Sequence, residues 1–118
     1  NGMKFMVMSY ETAEQFAARK NEQKDAYWVS WRSYFQAMED AKVLAYGGNI
    51  LQEPETARTI YADGEQIQTA DGSLVDDAKQ VSGYWVIDVP SWKEAEAWAR
   101  RSPAIHGGAI ELRPIFER

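Results

Sequence analysis

The chain has 118 residues, of which 45% are hydrophobic and 26% charged, with a formal charge of −5. That is one ordinary globular domain, able to bury roughly two-thirds of its unfolded surface around a single core. An acidic chain with only two adjacent basic pairs (Arg19-Lys20 and Arg100-Arg101) lacks the concentrated positive surface nucleic acid requires, and no apolar run approaches the ~18 residues of a membrane span.

Zero cysteines rule out disulfides, thiolate metal sites and cysteine catalysis, and are compatible with a cytoplasmic protein. Five Trp, six Tyr and four Phe are many rings for so small a core, so some should line a pocket or a subunit interface.

Asn1-Gly2 ahead of Met3 reads as a vector-derived remnant, which leaves one domain over 3–118. Lys4 to Tyr10 predicts a first strand, with Phe5, Val7 and Ser9 on one face and Met6, Met8 and Tyr10 on the other. Glu11 to Lys20 carries Ala13, Phe16 and Ala17 at helical spacing and predicts a short helix leading into a longer one. Over Asp25 to Lys42, Tyr27, Trp31, Tyr34, Phe35, Met38 and Ala41 recur in steps of three and four, the stripe of a core-facing helix.

Val43 to Tyr46 then enters a second strand, where Gly47-Gly48 allows a bulge or a close backbone approach. Thr56 to Ala62 and Glu65 to Ala70 are β-prone runs joined by the turn signal Asp63-Gly64. Asp71 to Gln80 is polar and predicts a loop.

Val81 to Val89 is the strongest strand, with Tyr84, Val86 and Asp88 opposite in facing to Trp85, Ile87 and Val89. Pro90 ends it. Ser91 to Glu94 reads as a capping box opening a helix to about Arg101, with Ala95, Trp98 and Ala99 inward. Ala109 to Pro114 is a last strand with Ile110 and Leu112 on one face and Glu111 and Arg113 on the other.

The order β-α-β, hairpin, β-α-β is the split βαβ plan of the ferredoxin-like fold, an α+β class in which two helices cover one face of an antiparallel sheet. The other face is too apolar to stand in solvent, and a second copy set sheet against sheet covers it most simply.

Asp71-Gly72, Gly83-Tyr84-Trp85-Val86-Ile87-Asp88 and Glu111-Leu112-Arg113-Pro114, together with Met3 to Met8, Gly47-Gly48 and Leu51-Gln52-Glu53-Pro54, resemble the YCII-related proteins and most closely their DGPF branch. The resemblance covers nearly the whole chain. It implies a homodimeric α+β barrel of two ferredoxin-like subunits in a bacterial cytoplasmic protein, and little about activity. Relatives occur beside alternative sigma factors, and a few related proteins take part in degradation of aromatic compounds. A His/Asp pair has been proposed as the active site in YCII relatives. Ser73-Leu74 replaces the Pro-Phe that names the branch, which loosens the turn and removes an apolar plug.

His106 is the only histidine, in the loop Ile105 to Gly108, and is the natural general acid/base candidate with Asp88 as its partner. Each also has a plain reading. His106 fits an exposed residue beside turn glycines; Asp88 fits a cap into Pro90-Ser91 or a partner for Arg113.

Tyr84, Glu111 and Arg113 on the open face form a candidate ligand-binding set. Charges at a sheet interface must pair with each other or the partner chain, or line a wet cavity. The cluster Trp28, Trp31, Tyr34 and Phe35 is expected in the core rather than stacked on a ligand. One histidine and scattered carboxylates give no metal set, and no glycine motif cradles a phosphate, so no cofactor is expected.

The leading expectation is a dimeric small-ligand-binding or regulatory module. Two alternatives are a lyase- or hydrolase-type enzyme using His106 and Asp88, and an interaction domain working with a transcription (sigma) factor.

Overall fold

A computed structural model describes residues 2–118; Asn1, half of the expected remnant, lies outside them. The elements in chain order are β1 (Met3–Glu11), α1 (Ala13–Ala17), α2 (Lys24–Asp40), β2 (Leu44–Ile50), β3 (Arg58–Asp63), β4 (Gln66–Asp71), β5 (Gln80–Val89), α3 (Trp92–Ala99) and β6 (Ala109–Pro114), with a single 3₁₀ turn at Pro54–Thr56. The result is a mixed α+β fold. Strands β2-β5-β1-β6 form one sheet, antiparallel at every pairing, while β3 and β4 form a separate hairpin.

Strand alternation divides the sheet into two unlike faces. Phe5, Val7, Trp85, Ile87 and Val89 point into the core and are almost fully buried. Tyr34 and Met38 from α2 and Ala95 from α3 close over them, with Trp98, Ile110 and Leu112 packed around the margin. The Trp85 ring is boxed edge-on by Trp31, Tyr34 and Phe35, with centroids 5.1 to 5.9 Å away. The opposite face carries Met6, Met8, Tyr10, Tyr84 and Val86, all only half-buried. The facing expected of β1, β5 and β6 therefore holds residue by residue.

Three local expectations change. The box opening α3 is half made: the Ser91 hydroxyl accepts from Glu94 N at 3.3 Å, without the return bond. The reciprocal box lies instead at α1, where Thr12 accepts from Gln15 N and the Gln15 side chain accepts from Thr12 N at 2.8 Å. The β3–β4 turn sits one residue later than Asp63-Gly64, because Asp63 already pairs with Gln66. Gly64, at φ +64°, takes the first central position, where the II′ hairpin favours glycine.

The second strand also runs past Tyr46 to Ile50, with register shifts on both sides of Tyr46. Gly48 makes this possible. Its φ is +72°, and a Cβ there would collide with the carbonyl of Tyr84. At Gly47 a Cβ would meet nothing within 4 Å. Gly48→Ala is therefore expected to lose at least ~2 kcal/mol from backbone strain and displacement of β2, whereas Gly47→Ala stays within about 0.5 kcal/mol of the parent. Urea unfolding midpoints of the two variants check this, and equal midpoints would refute the close approach.

Candidate functional site

The deepest polar feature begins at the end of β1. Alternation continues past Ser9 and turns Glu11 inward, where it is 2% exposed. A carboxylate there needs a cation, and Arg19, just after α1, supplies it at 8% exposure. The Arg19 guanidinium donates from Nη1 to Leu51 O at 2.6 Å, from Nη2 to Ser82 O at 3.2 Å and from Nε to the Tyr27 hydroxyl at 3.3 Å. Tyr27 donates in turn to both Glu11 carboxylate oxygens, at 3.0 and 3.1 Å. The charges of Glu11 and Glu53 lie 3.9 Å from the guanidinium. Phe16 stacks on it at 4.6 Å, and the Trp28 indole donates to Arg19 O at 3.1 Å.

Ser82 is available because β5 is bulged there. Ser9 pairs with Gly83 and Tyr10 with Val81, so Ser82 is the extra residue. Its hydroxyl lies 2.8 Å from that of Ser9 in the buried layer.

A cleft of about 420 Å³ opens above this network, between the first half of α2 and the irregular β2 edge. Its walls are Tyr27, Trp28, Trp31, Phe35 and Trp85, its floor is Ser9, Ser82, Glu11 and Arg19, and Tyr84, Asn49 and Arg32 stand at the rim. Asn49 donates to the hydroxyls of Tyr46 and Tyr84, both at 2.9 Å. Arg32 makes no ion pair among the described residues, and the buried Trp85 indole N–H has no hydrogen-bond partner among them. An apolar cleft with a few convergent polar groups is the usual form of a small-molecule site.

The expected site residues fall in four places. Tyr84 lines the cleft. Glu111 and Arg113 lie on β6 and pair with each other, so Arg113 does not answer Asp88. Hydrogen bonding from Arg113 holds the Glu111 carboxyl below its usual value, and Tyr10 adds a second donor at 3.1 Å. Burial, and next the Glu111 contact, push the Tyr10 phenol up.

Asp88 is exposed opposite Lys4 on β1, at the other end of that strand from Tyr10, which pairs with Ala109 just after the His106 loop. Lys4 and Tyr10 are about 20 Å apart along an extended strand. The structure therefore does not bring Asp88 and His106 together. His106 sits instead in a shallow surface hollow with Arg100, Arg101, Ser30 and Ser33, and its carbonyl accepts from Gln15 at 3.1 Å. In the loop after β4, Leu74 is 79% exposed and plugs nothing.

Among the four ring residues expected in the core, Tyr34 is buried, while Trp28, Trp31 and Phe35 are half-buried on the cleft wall. Glu11 and Arg19, on the cleft floor, are not among the site residues expected from the sequence. The signal for Glu11 was strand alternation carried one step further, and the signal for Arg19 its three-residue spacing from Phe16.

An α+β domain with one sheet face open and an aromatic cleft beside its edge strand is the class these observations define. The chain belongs to the YCII-related domain family, which it matches over residues 3–118. No curated protein matches it in sequence. No helix among the described residues is long and apolar enough to cross a membrane, and no group of three or more His, Cys, Asp or Glu among them is placed to hold a metal.

Removing one member of a buried ion pair strands the other. Arg19→Ala is expected to lose about 3–5 kcal/mol in chemical denaturation. Arg100→Ala, which removes only an exposed pair with Glu96, should change stability by less than ~1 kcal/mol. Similar losses for both would contradict the network.

Burial pushes the Tyr27 phenol up to about 12 from 10.0, with the Arg19 bond pulling the other way and the Glu11 charge adding to the rise. The stability tied to this group is thus full below pH 10 and is lost as pH rises through about 12. Near-ultraviolet titration of the protein against Tyr27→Phe should show the missing phenol ionising near 12; ionisation near 10 would contradict the buried placement.

Proposed function

We propose that the chain is a dimeric small-ligand-binding module whose cleft takes a flat, mostly apolar molecule carrying an acidic group. The cleft carries the reading: aromatic walls suit a planar ligand, and the unpaired Arg32 at the rim suits a negative charge. The unanswered Trp85 indole in its wall supports the same view.

The strand order β2-β5-β1-β6 supports the ferredoxin-like plan within this reading. Half-buried Met6, Met8 and Val86 on the open face support sheet-to-sheet pairing into an α+β barrel, with the Glu111–Arg113 pair at its margin. The ordered motifs through Gly83 to Asp88 and Glu111 to Pro114 support the DGPF branch, with Ser73-Leu74 as its departure.

The test uses 8-anilinonaphthalene-1-sulfonate, an anion with a planar naphthalene ring, followed by its own fluorescence and by tryptophan quenching. Saturable binding is expected, weakened about tenfold or more by Trp28→Ala and several-fold by Arg32→Ala, as loss of a stacking or charge contact of about 1–2 kcal/mol implies. Binding unchanged in both variants would remove the cleft from the function.

A further inference from the structure

The β3–β4 hairpin stands away from the rest of the domain. Its strands make six cross-strand pairs, from Arg58–Asp71 to Asp63–Gln66, and only Thr59 and Gln68 escape full exposure. Residues opposite one another share a face, so Ile60, Ala62, Ile67 and Thr69 lie together on one side. Ile60 is 68% exposed and Ile67 71%. A lone two-stranded hairpin is at best marginally stable in water, and three strands or a packing surface are needed to hold one. The domain supplies neither to this aliphatic face.

We propose that the hairpin is an arm that lays its Ile60–Ala62–Ile67 face on a second copy of the chain; this rests on the dimeric reading above. Area points to a second copy. The open sheet face is four strands wide and runs from Lys4 to Tyr10, roughly 20 Å by 20 Å or about 400 Å². A stable pair buries about 800 Å² on each partner, twice that amount.

One face of the arm is roughly 20 Å by 10 Å, about 200 Å². In a two-fold pair each protomer gains contact twice, once through its own arm and once beneath its partner's. Two reciprocal arms therefore make up roughly the missing half. The molecule is 47 × 45 × 19 Å, so the arm extends within the plane of the plate rather than folding over it, free to reach a neighbour.

The experiment combines sedimentation with amide hydrogen exchange on the full chain and on two double-site variants. Ile60→Lys/Ile67→Lys should weaken self-association at least tenfold and leave near-ultraviolet tryptophan signals unchanged, since neither residue touches the core. Gln66→Lys/Gln68→Lys, on the opposite hairpin face, should leave association unchanged. Hairpin amides of the parent should be protected at high protein concentration and lose that protection on dilution.

A parent dimer whose dissociation is the same in the Ile60/Ile67 variant overturns the arm and leaves the dimer standing. A parent that sediments at 13.4 kDa at every concentration overturns both. Hairpin protection that is independent of concentration also overturns the arm.

Discussion

A guanidinium removed from water must find acceptors and a counter-charge, and most of this molecule's irregular features converge on meeting that need for Arg19. Glu11 supplies charge from the end of β1, Tyr27 links that charge to α2, Leu51 offers a carbonyl beyond β2, and Ser82 offers another from the β5 bulge. Four segments, from the end of β1 to β5, are thereby fixed to one side chain. None of these bonds is strong alone, and a regular strand at Ser82 would shift the register that brings its carbonyl to the guanidinium.

The cleft follows from the same arrangement. A sheet edge packed flush under α2 would have no room for Trp28 and Trp31 to remain half-buried. β2 is held off by its broken register and by Gly48, which lets its backbone press on Tyr84 while the neighbouring edge stays open. The buried hydroxyls and the charged network then form a floor that cannot collapse, because closing the gap would strip partners from Arg19. The polar network thus keeps the aromatic walls apart, and stability and the open cleft have one physical origin.

Periodicity made the regular parts legible. The two-residue period placed Phe5, Val7, Trp85 and Ile87 inside and Tyr84, Glu111 and Arg113 on the other face, as observed. The helical stripe identified Tyr34 and Met38 as core. Long-range pairing is what the pattern could not carry. Whether Asp88 meets His106 depends on which ends of β5 and β6 adjoin along β1, and no local signal encodes that.

The cleft was hidden for a related reason. Trp28 and Trp31 lie on or beside a core-like stripe, and only the break in β2 leaves them beside space. Glu11 was masked because its position also suits the start of a helix, a role that Thr12 takes instead. The short aliphatic strands around Gly64 were visible, but nothing local distinguishes a hairpin packed on its own domain from one left in solvent.

The two acid–arginine pairs show how strongly burial decides the worth of the same chemistry. Glu111 and Arg113 sit on the open face, with side chains 36% and 69% exposed, and water screens most of their attraction. Glu11 and Arg19 are nearly dry, so neither can be lost without leaving a charge in the interior. If a second sheet covers the open face, the first pair moves toward the condition of the second. Glu111 is already prepared for that change, since Arg113 and Tyr10 both donate to it and favour its charged form. A carboxylate supplied with two donors before it is covered faces a smaller desolvation cost when covered. That places a charge at the margin of an apolar patch of methionine and valine, where in a sheet-to-sheet pair it would fix orientation without interrupting the apolar contact.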